Sequence, residues 1–237
     1  MAENKDHYCV VVSQQEQSTN DRAALLNEAR WPDGQQIRVR FLEGDESLQE
    51  RVKAVAERWT GRDMAKLTFQ WVEGGESDIR IAFQQGNGSW SYLGTQSADI
   101  PDDEPTMNYG WLTPESDDAE LTRVVLHEFG HALGLIHEHQ NPKGGIDWNE
   151  PAVIADLEGP PNNWDEQTIR HNVLDHYPPE EVTATDVDSE SIMMYPIPAS
   201  WTNDGFSADL NSDLSPTDIE FIRSAYSNGG GAYEGGT

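Results

Sequence analysis

The sequence predicts an α+β protein built on a sheet of about five strands, and three observations carry that prediction. Short runs of alternating apolar and polar residues recur between turn signals from Ile37 to Leu112. Two longer segments, Gly44–Trp59 and Ala119–Leu133, place apolar residues every three or four positions. Beyond Leu133 the chain becomes loop-rich, with Pro142, Pro151, Pro160, Pro161, Pro178 and Pro179 ahead of one last helical segment. At 237 residues it is long enough to bury one core without staples, and no second domain is required.

Taken in order, residues 1–30 are polar apart from "CVVV" and "AALL" and read as an N-terminal extension that packs partly on the domain. "IRVRFL" (Ile37–Leu42) has the two-residue period of a half-buried strand. Asp45 then caps a helix with Leu48, Val52, Val55 and Trp59 on one face. "LTFQWV" (Leu67–Val72) and "DIRIAF" (Asp78–Phe83) are strands divided by the turn signal "EGGES". "SWSYLG" (Ser89–Gly94) and "TMNYGWL" (Thr106–Leu112) are two more, separated by the acidic loop "ADIPDDEP". A helix over Ala119–Leu133 follows, with Leu121, Val125, Phe129 and Ala132 or Leu133 as its apolar stripe. One helix, "WDEQTIRHNVL", is expected in the loop-rich part. "LSPTDIEFIRSAY" closes the fold, with Ser215 as cap, Pro216 at the first helical position, Asp218 three residues after the cap, and Ile219, Ile222 and Tyr226 inward. The domain therefore spans 31–227, and 228–237 read as a flexible glycine-rich tail.

Composition excludes several function classes. Forty-three acidic against fifteen basic residues give a formal charge of -28, which repels a nucleic-acid backbone and an anionic bilayer alike, so neither nucleic acid nor membrane is an expected partner. Cys9 is the single cysteine, which rules out an intrachain disulfide and CxxC zinc sites, and it reads as a small buried hydrophobe. No window approaches the ~20 apolar residues of a membrane span, and the start shows no Sec-type signal. Location is left open, and a monomer is expected.

The chemistry is concentrated in "LHEFGHALGLIHEH", Leu126–His139. His127 and His131, four apart on a helix, share one face and can both reach a metal ~2.0–2.1 Å from each ring nitrogen. Glu128 lies about 100° round the helix, near enough to hold water but displaced from ligation, as a general base requires. A rigid helix cannot bring a third ligand to the same point. Gly134 permits the helix to end and the chain to turn back, and His137 three residues on is then the natural third ligand, with His139 as its competitor. His7, His171 and His176 have no partner at ligand spacing. Three neutral imidazoles leave one zinc ion its charge and an open position, the layout of a catalytic site, and peptide hydrolysis is the reaction this predicts.

At these residues the sequence resembles the metzincin clan of zinc endopeptidases, whose long motif is HExxHxxGxxH followed by a methionine turn. "SIMMYP" (Ser191–Pro196) looks like the SxMxY turn of its astacin-like and serralysin-like branches. That aligns Met193 as the floor beneath the zinc and Tyr195 as the switchable tyrosine that supports the oxyanion. Glu138 is similar to the glutamate of the astacin signature, although "HQNPKGG" after it departs from that pattern, as does the solitary cysteine. The resemblance covers roughly Trp31–Tyr226. It implies a metzincin-like catalytic domain, a twisted mixed sheet with two long helices above a zinc cleft over a loop-rich lower subdomain with a C-terminal helix. It also implies action outside the cell on a protein or peptide substrate, which would add as a strand to the rim strand Ser89, Trp90, Ser91, Tyr92 and Leu93.

Two latency signals of such enzymes are set aside. "FLEGD" (Phe41–Asp45) resembles a propeptide aspartate segment but belongs to the first strand and helix cap, and "HYC" (His7–Cys9) lacks the surroundings of a thiolate latch. Asp99–Glu104 offers oxygen ligands for calcium, though such a loop is ordinarily a solvated turn. The competing function is an inactive zinc-binding module that recognises a peptide in the same cleft; Glu128 separates the two, since only a hydrolase needs a base there.

Overall fold

A computed structural model describes residues 10–12, 25–61, 63–160 and 162–227. Cys9, His7 and the tail 228–237 lie outside the described residues. The strands are β1 (Val10–Val12), β2 (Leu25–Leu26), β3 (Gln36–Phe41), β4 (Thr68–Trp71), β5 (Ile79–Ala82), β6 (Trp90–Tyr92), β7 (Met107–Asn108) and β8 (Val182–Thr183). The helices are α1 (Glu46–Ala56), α2 (Asp118–Ala132), α3 (Glu150–Glu158), α4 (Glu166–Ile169) and α5 (Pro216–Ala225).

The main sheet runs β1-β6-β7-β5-β3-β4. Within it β3 pairs parallel with β4 and β5, β5 parallel with β7, and β6 antiparallel with β7. This is the expected mixed five-stranded sheet, to whose β6 edge β1 adds a further, parallel strand. In β3, Ile37 and Val39 are fully buried while the alternating arginines are not, as the pleat dictates. They share a core with Leu48 and Val52 of α1 and with Leu121, Val125 and Phe129 of α2. Asp45 caps α1 by accepting from the Ser47 N–H, the role the sequence assigned to it.

The expected strand Thr106–Leu112 shortens to β7 because side chains replace the ladder. The Asn108 amide accepts from Gln84 N and donates to Gly88 O, and Gly110 N donates to Ser89 Oγ. Gly110 sits so close to Gly88 that a Cβ would lie 2.2 Å from its carbonyl oxygen.

Below the sheet, Val153, Leu157, Ile169, Val173, Met194, Tyr195, Ile197 and Trp201 form a second core. The sequence reading placed one helix in this region, over residues 164–174. There are two, since Pro151, counted as a loop signal, opens α3 from its first turn, where its missing N–H costs nothing. The 164–174 segment begins as α4 and continues as a π-turn over Arg170–Leu174. β2 pairs antiparallel with β8, and Leu25, Leu26 and Ala29 are buried, so this end of the extension is packed into the domain. α5 carries the capping box of Ser215 and Asp218 with Pro216 in its first turn.

Candidate metal centre and catalytic cleft

α2 is the scaffold of the site. Asp117 caps it by accepting from Glu120 N. Near its C-terminus, where carbonyls lack intrahelical donors, the Trp31 indole donates to Ala132 O at 2.8 Å and the Tyr226 hydroxyl to Leu133 O at 2.6 Å. The Trp59 indole donates to Leu126 O at 3.0 Å, directly before the first motif histidine. Three buried aromatic side chains thus fix where α2 runs and stops.

At Gly134 the backbone takes φ +88°, the left-handed conformation that glycine adopts without penalty. The reversal lets Leu135 N bond back to Gly130 O at 2.9 Å and directs Leu135 O at His131, whose Nδ1 donates to it at 2.8 Å. His127 Nδ1 donates likewise to Ile192 O at 2.8 Å. Since a carbonyl can only accept, both protons sit on Nδ1 and both Nε2 atoms present lone pairs.

Those lone pairs face each other, Nε2 to Nε2, at 3.1 Å. His137 completes the group, and the ligand atoms of His127, His131 and His137 all lie within 4.8 Å of one another. All three rings are buried, and His137, unlike the other two, has no backbone carbonyl on a ring nitrogen among the described residues. Burial holds all three histidines below their ordinary pKa, His131 at about 4, so the site offers neutral donors. Converging buried acceptors repel unless a cation lies between them, and their spacing suits tetrahedral nitrogen ligation of zinc.

Glu128 is fully buried beside His127. Met193 runs beneath α2 at Gly130, where an added Cβ would stand 2.4 Å from its Sδ. Met194 belongs instead to the lower core. The Tyr195 ring centroid is 4.1 Å from that of His137 and 6.4 Å from that of His127, so the tyrosine of the turn borders the ligand group. His139 lies outside the group, with its Nε2 at 2.9 Å from Asn172 O.

Residues 30–143 match the matrixin peptidase family. The structure of myroilysin superposes with a TM-score of 0.84 at 41% identity, covering 86% of this chain and 98% of that one. The chain belongs to the metzincin zinc endopeptidases. As a metzincin it binds zinc through the three-histidine site and is a hydrolase of the metalloendopeptidase class. High choriolytic enzyme 1, a hatching enzyme zinc-protease from Oryzias latipes, shares the fold at 17% identity, with a TM-score of 0.57 over 87% of this chain and 98% of that one. The interstitial collagenase of Bos taurus is 30% identical over 101 residues, which are 38% of this chain and 21% of the collagenase.

The rim residues Ser89–Leu93 fall on and beside β6, which packs along α2. Ser89, Ser91 and Leu93 are buried, Trp90 and Tyr92 half-buried. The outer edge of β6 pairs with β1 in parallel register, Val10 with Trp90 and Val12 with Tyr92. The acidic loop Asp99–Glu104 encloses no cluster of carboxylates at metal spacing among the described residues. Its interior is filled by Arg80, 1% exposed, whose guanidinium donates to the carbonyls of Ser77, Ser97, Ile100 and Glu104 at 2.7–3.2 Å.

Sequence reasoning missed the residues that hold the ligands. The sequence marks Asp218 only as the capping-box residue three after Ser215, yet its carboxylate also accepts from Ser191 Oγ and from Ile192 N. Gly130 did carry a signal, because a glycine inside a helix costs about 1 kcal/mol against alanine and marks a close approach.

Proposed function

We propose that the protein cleaves extended segments of protein or peptide substrates, with His127, His131 and His137 holding the zinc, Glu128 as general base and then acid, and Tyr195 as oxyanion donor. The observation that carries this reading is the convergence of three buried imidazoles, two with tautomers fixed by backbone carbonyls, beside the buried Glu128.

Zinc, when bound, supplies Lewis acidity that brings the pKa of water to about 7 and polarises the scissile carbonyl. The Glu128 carboxylate takes the proton of the attacking water and passes it to the departing amine nitrogen. The Tyr195 hydroxyl donates to the oxygen on which negative charge develops. Met193 keeps its sulfur against Gly130 and so supports α2 from below. The substrate backbone adds to the outer edge of β6, an edge whose capacity to take a strand is supported by its pairing with Val10–Val12.

The formal charge of -28 disfavours nucleic acid and favours basic peptide segments as substrates. No helix of the described residues is long and apolar enough to cross a membrane. By resemblance to its family the enzyme acts outside the cell, and a monomer is the expected state.

Glu128→Gln tests the reading. The amide matches the carboxylate in size but cannot take the water's proton, so zinc content and fold are expected to persist while hydrolysis of a casein-type substrate falls by at least about 10². Turnover near wild type would remove Glu128 from the mechanism.

A further inference from the structure

His139 is fully buried and is not one of the three ligands, yet its ring is in contact with the site. Its centroid is 5.2 Å from that of His137 at an interplanar angle of 20°, and 4.5 Å from that of Tyr195 at 31°. Tyr195 in turn lies 4.1 Å from His137. The tyrosine ring therefore packs against two imidazoles that also touch each other, one a ligand and the other not.

The non-ligand is fixed with care. Its Nε2 meets Asn172 O at 2.9 Å, which places the proton on Nε2, and the Trp148 ring closes on it edge-on at 6.2 Å. The Asn172 carbonyl is available because residues 170–174 form a π-turn, in which the ordinary helical spacing of donors is lost. Side chains take up the released carbonyls: Asn172 Nδ2 donates to Thr168 O at 2.9 Å, Gln140 Nε2 to His171 O at 2.7 Å, and His139 to Asn172 O. An irregular helix thus anchors the segment directly after the third ligand.

We propose that His139 is a positioning residue for Tyr195: it forms the wall that keeps the phenol ring against His137, so that the hydroxyl meets the developing oxyanion. This rests on the oxyanion role given to Tyr195 above. The Met-turn fixes the backbone of Tyr195, packing against the imidazoles restricts its χ angles, and a donor displaced by about 1 Å loses much of its effect on a transition state. Removing the His139 ring opens a hole beside Tyr195 into which the phenol can fall.

Three substitutions separate the ring from the hydrogen bond. His139→Ala removes both, His139→Gln keeps a donor for Asn172 O without the ring, and His139→Phe keeps the ring without the donor. Each is made in the wild-type and the Tyr195→Phe backgrounds, and kcat, KM, zinc affinity by chelator competition, and affinity for a phosphinate peptide are measured. Ala and Gln are expected to lower kcat roughly tenfold with KM within about twofold, to weaken phosphinate binding in parallel, and to leave zinc affinity within about threefold; Phe restores most of kcat. In the Tyr195→Phe background none should cost more than about twofold further.

Equal losses in both backgrounds, a large drop in zinc affinity, or Phe falling no nearer wild type than Gln would overturn the proposal. Should Ala not fold, the Gln and Phe pair decides alone. A Tyr195→Phe enzyme with wild-type kcat would instead show that the tyrosine reading itself is wrong, and this proposal would fall with it.

Discussion

Asp218 and His127 are joined through the backbone of a single residue: the Asp218 carboxylate accepts from Ile192 N at 2.8 Å, and Ile192 O accepts from His127 Nδ1 at 2.8 Å. The capping-box residue of α5 thereby orients the first zinc ligand. Asp218→Asn keeps one acceptor oxygen but cannot serve Ser191 Oγ, Ile192 N and Ser215 N together. Zinc affinity is expected to fall by about 10–100-fold, the scale for partners that orient metal ligands. Chelator competition reads it directly, and unchanged affinity would disconnect the cap from the ligand.

Glu138, next to the third ligand, titrates in an unusual range. Burial pushes its carboxyl from 4.5 up to about 8, against donation from Asn141 and from Asp188 N. Between those two values the folded state retains a proton that the unfolded chain has lost. Its contribution is therefore full below about pH 4.5 and declines as pH rises through about 8. Glu138→Gln still offers an oxygen to both donors and cannot ionise. The difference in Tm, variant minus wild type, should grow from pH 5 to pH 9; a difference flat across that range would mean that Glu138 is ionised throughout.

The course of the chain through the sheet was readable from its pattern because β3, β4 and β5 are strands with periodic neighbours. So was the ligand set, because HExxHxxGxxH fixes residues whose geometry follows from helix pitch and a glycine turn. What could not be read depends on contacts distant in sequence. The tautomers of His127 and His131 are set by carbonyls at Ile192 and Leu135, and carbonyls have no residue-type signature. α3 escaped detection because Pro151 indicates equally a loop or a first turn. β1 escaped because "CVVV" carries no alternation and pairs with a strand some 80 residues away.

Arg80 makes a different prediction about the acidic loop. The four carbonyls that it engages resemble a cation's oxygen shell, and the cation is the protein's own side chain. Arg80→Met leaves those carbonyls to find other donors at roughly 1 kcal/mol each, partly offset by the removal of a buried charge, so about 3 kcal/mol of destabilisation is expected. For a domain of this size that is a Tm lower by roughly 6–12 °C, with faster proteolysis within residues 97–104. Added calcium should not restore it. Recovery in millimolar calcium would show that the loop is a calcium site after all.

At the edge of β6, Val10–Val12 occupy the position that the proposed substrate strand would need. A strand tethered through the same chain competes at an effective concentration in the millimolar range, well above that of a typical peptide substrate. Three residues of parallel pairing are weak in themselves, and the tether is what makes them effective. A chain beginning at Leu25 retains β2 and the contact of Leu25 with Gly134, so the turn that directs His137 is kept. Its KM for a six- to eight-residue peptide should fall, and kcat/KM should rise roughly tenfold, with kcat little changed, because the catalytic residues are the same. A synthetic peptide of residues 1–24 should then inhibit the shortened enzyme only at about millimolar concentration. If KM is the same for both lengths of chain, β1 either leaves the edge at no cost or the substrate binds elsewhere, and the rim-strand assignment would have to be abandoned in the second case. Cross-protection of the β6 amides in hydrogen exchange, lost in the shortened chain and regained with bound substrate analogue, distinguishes the two.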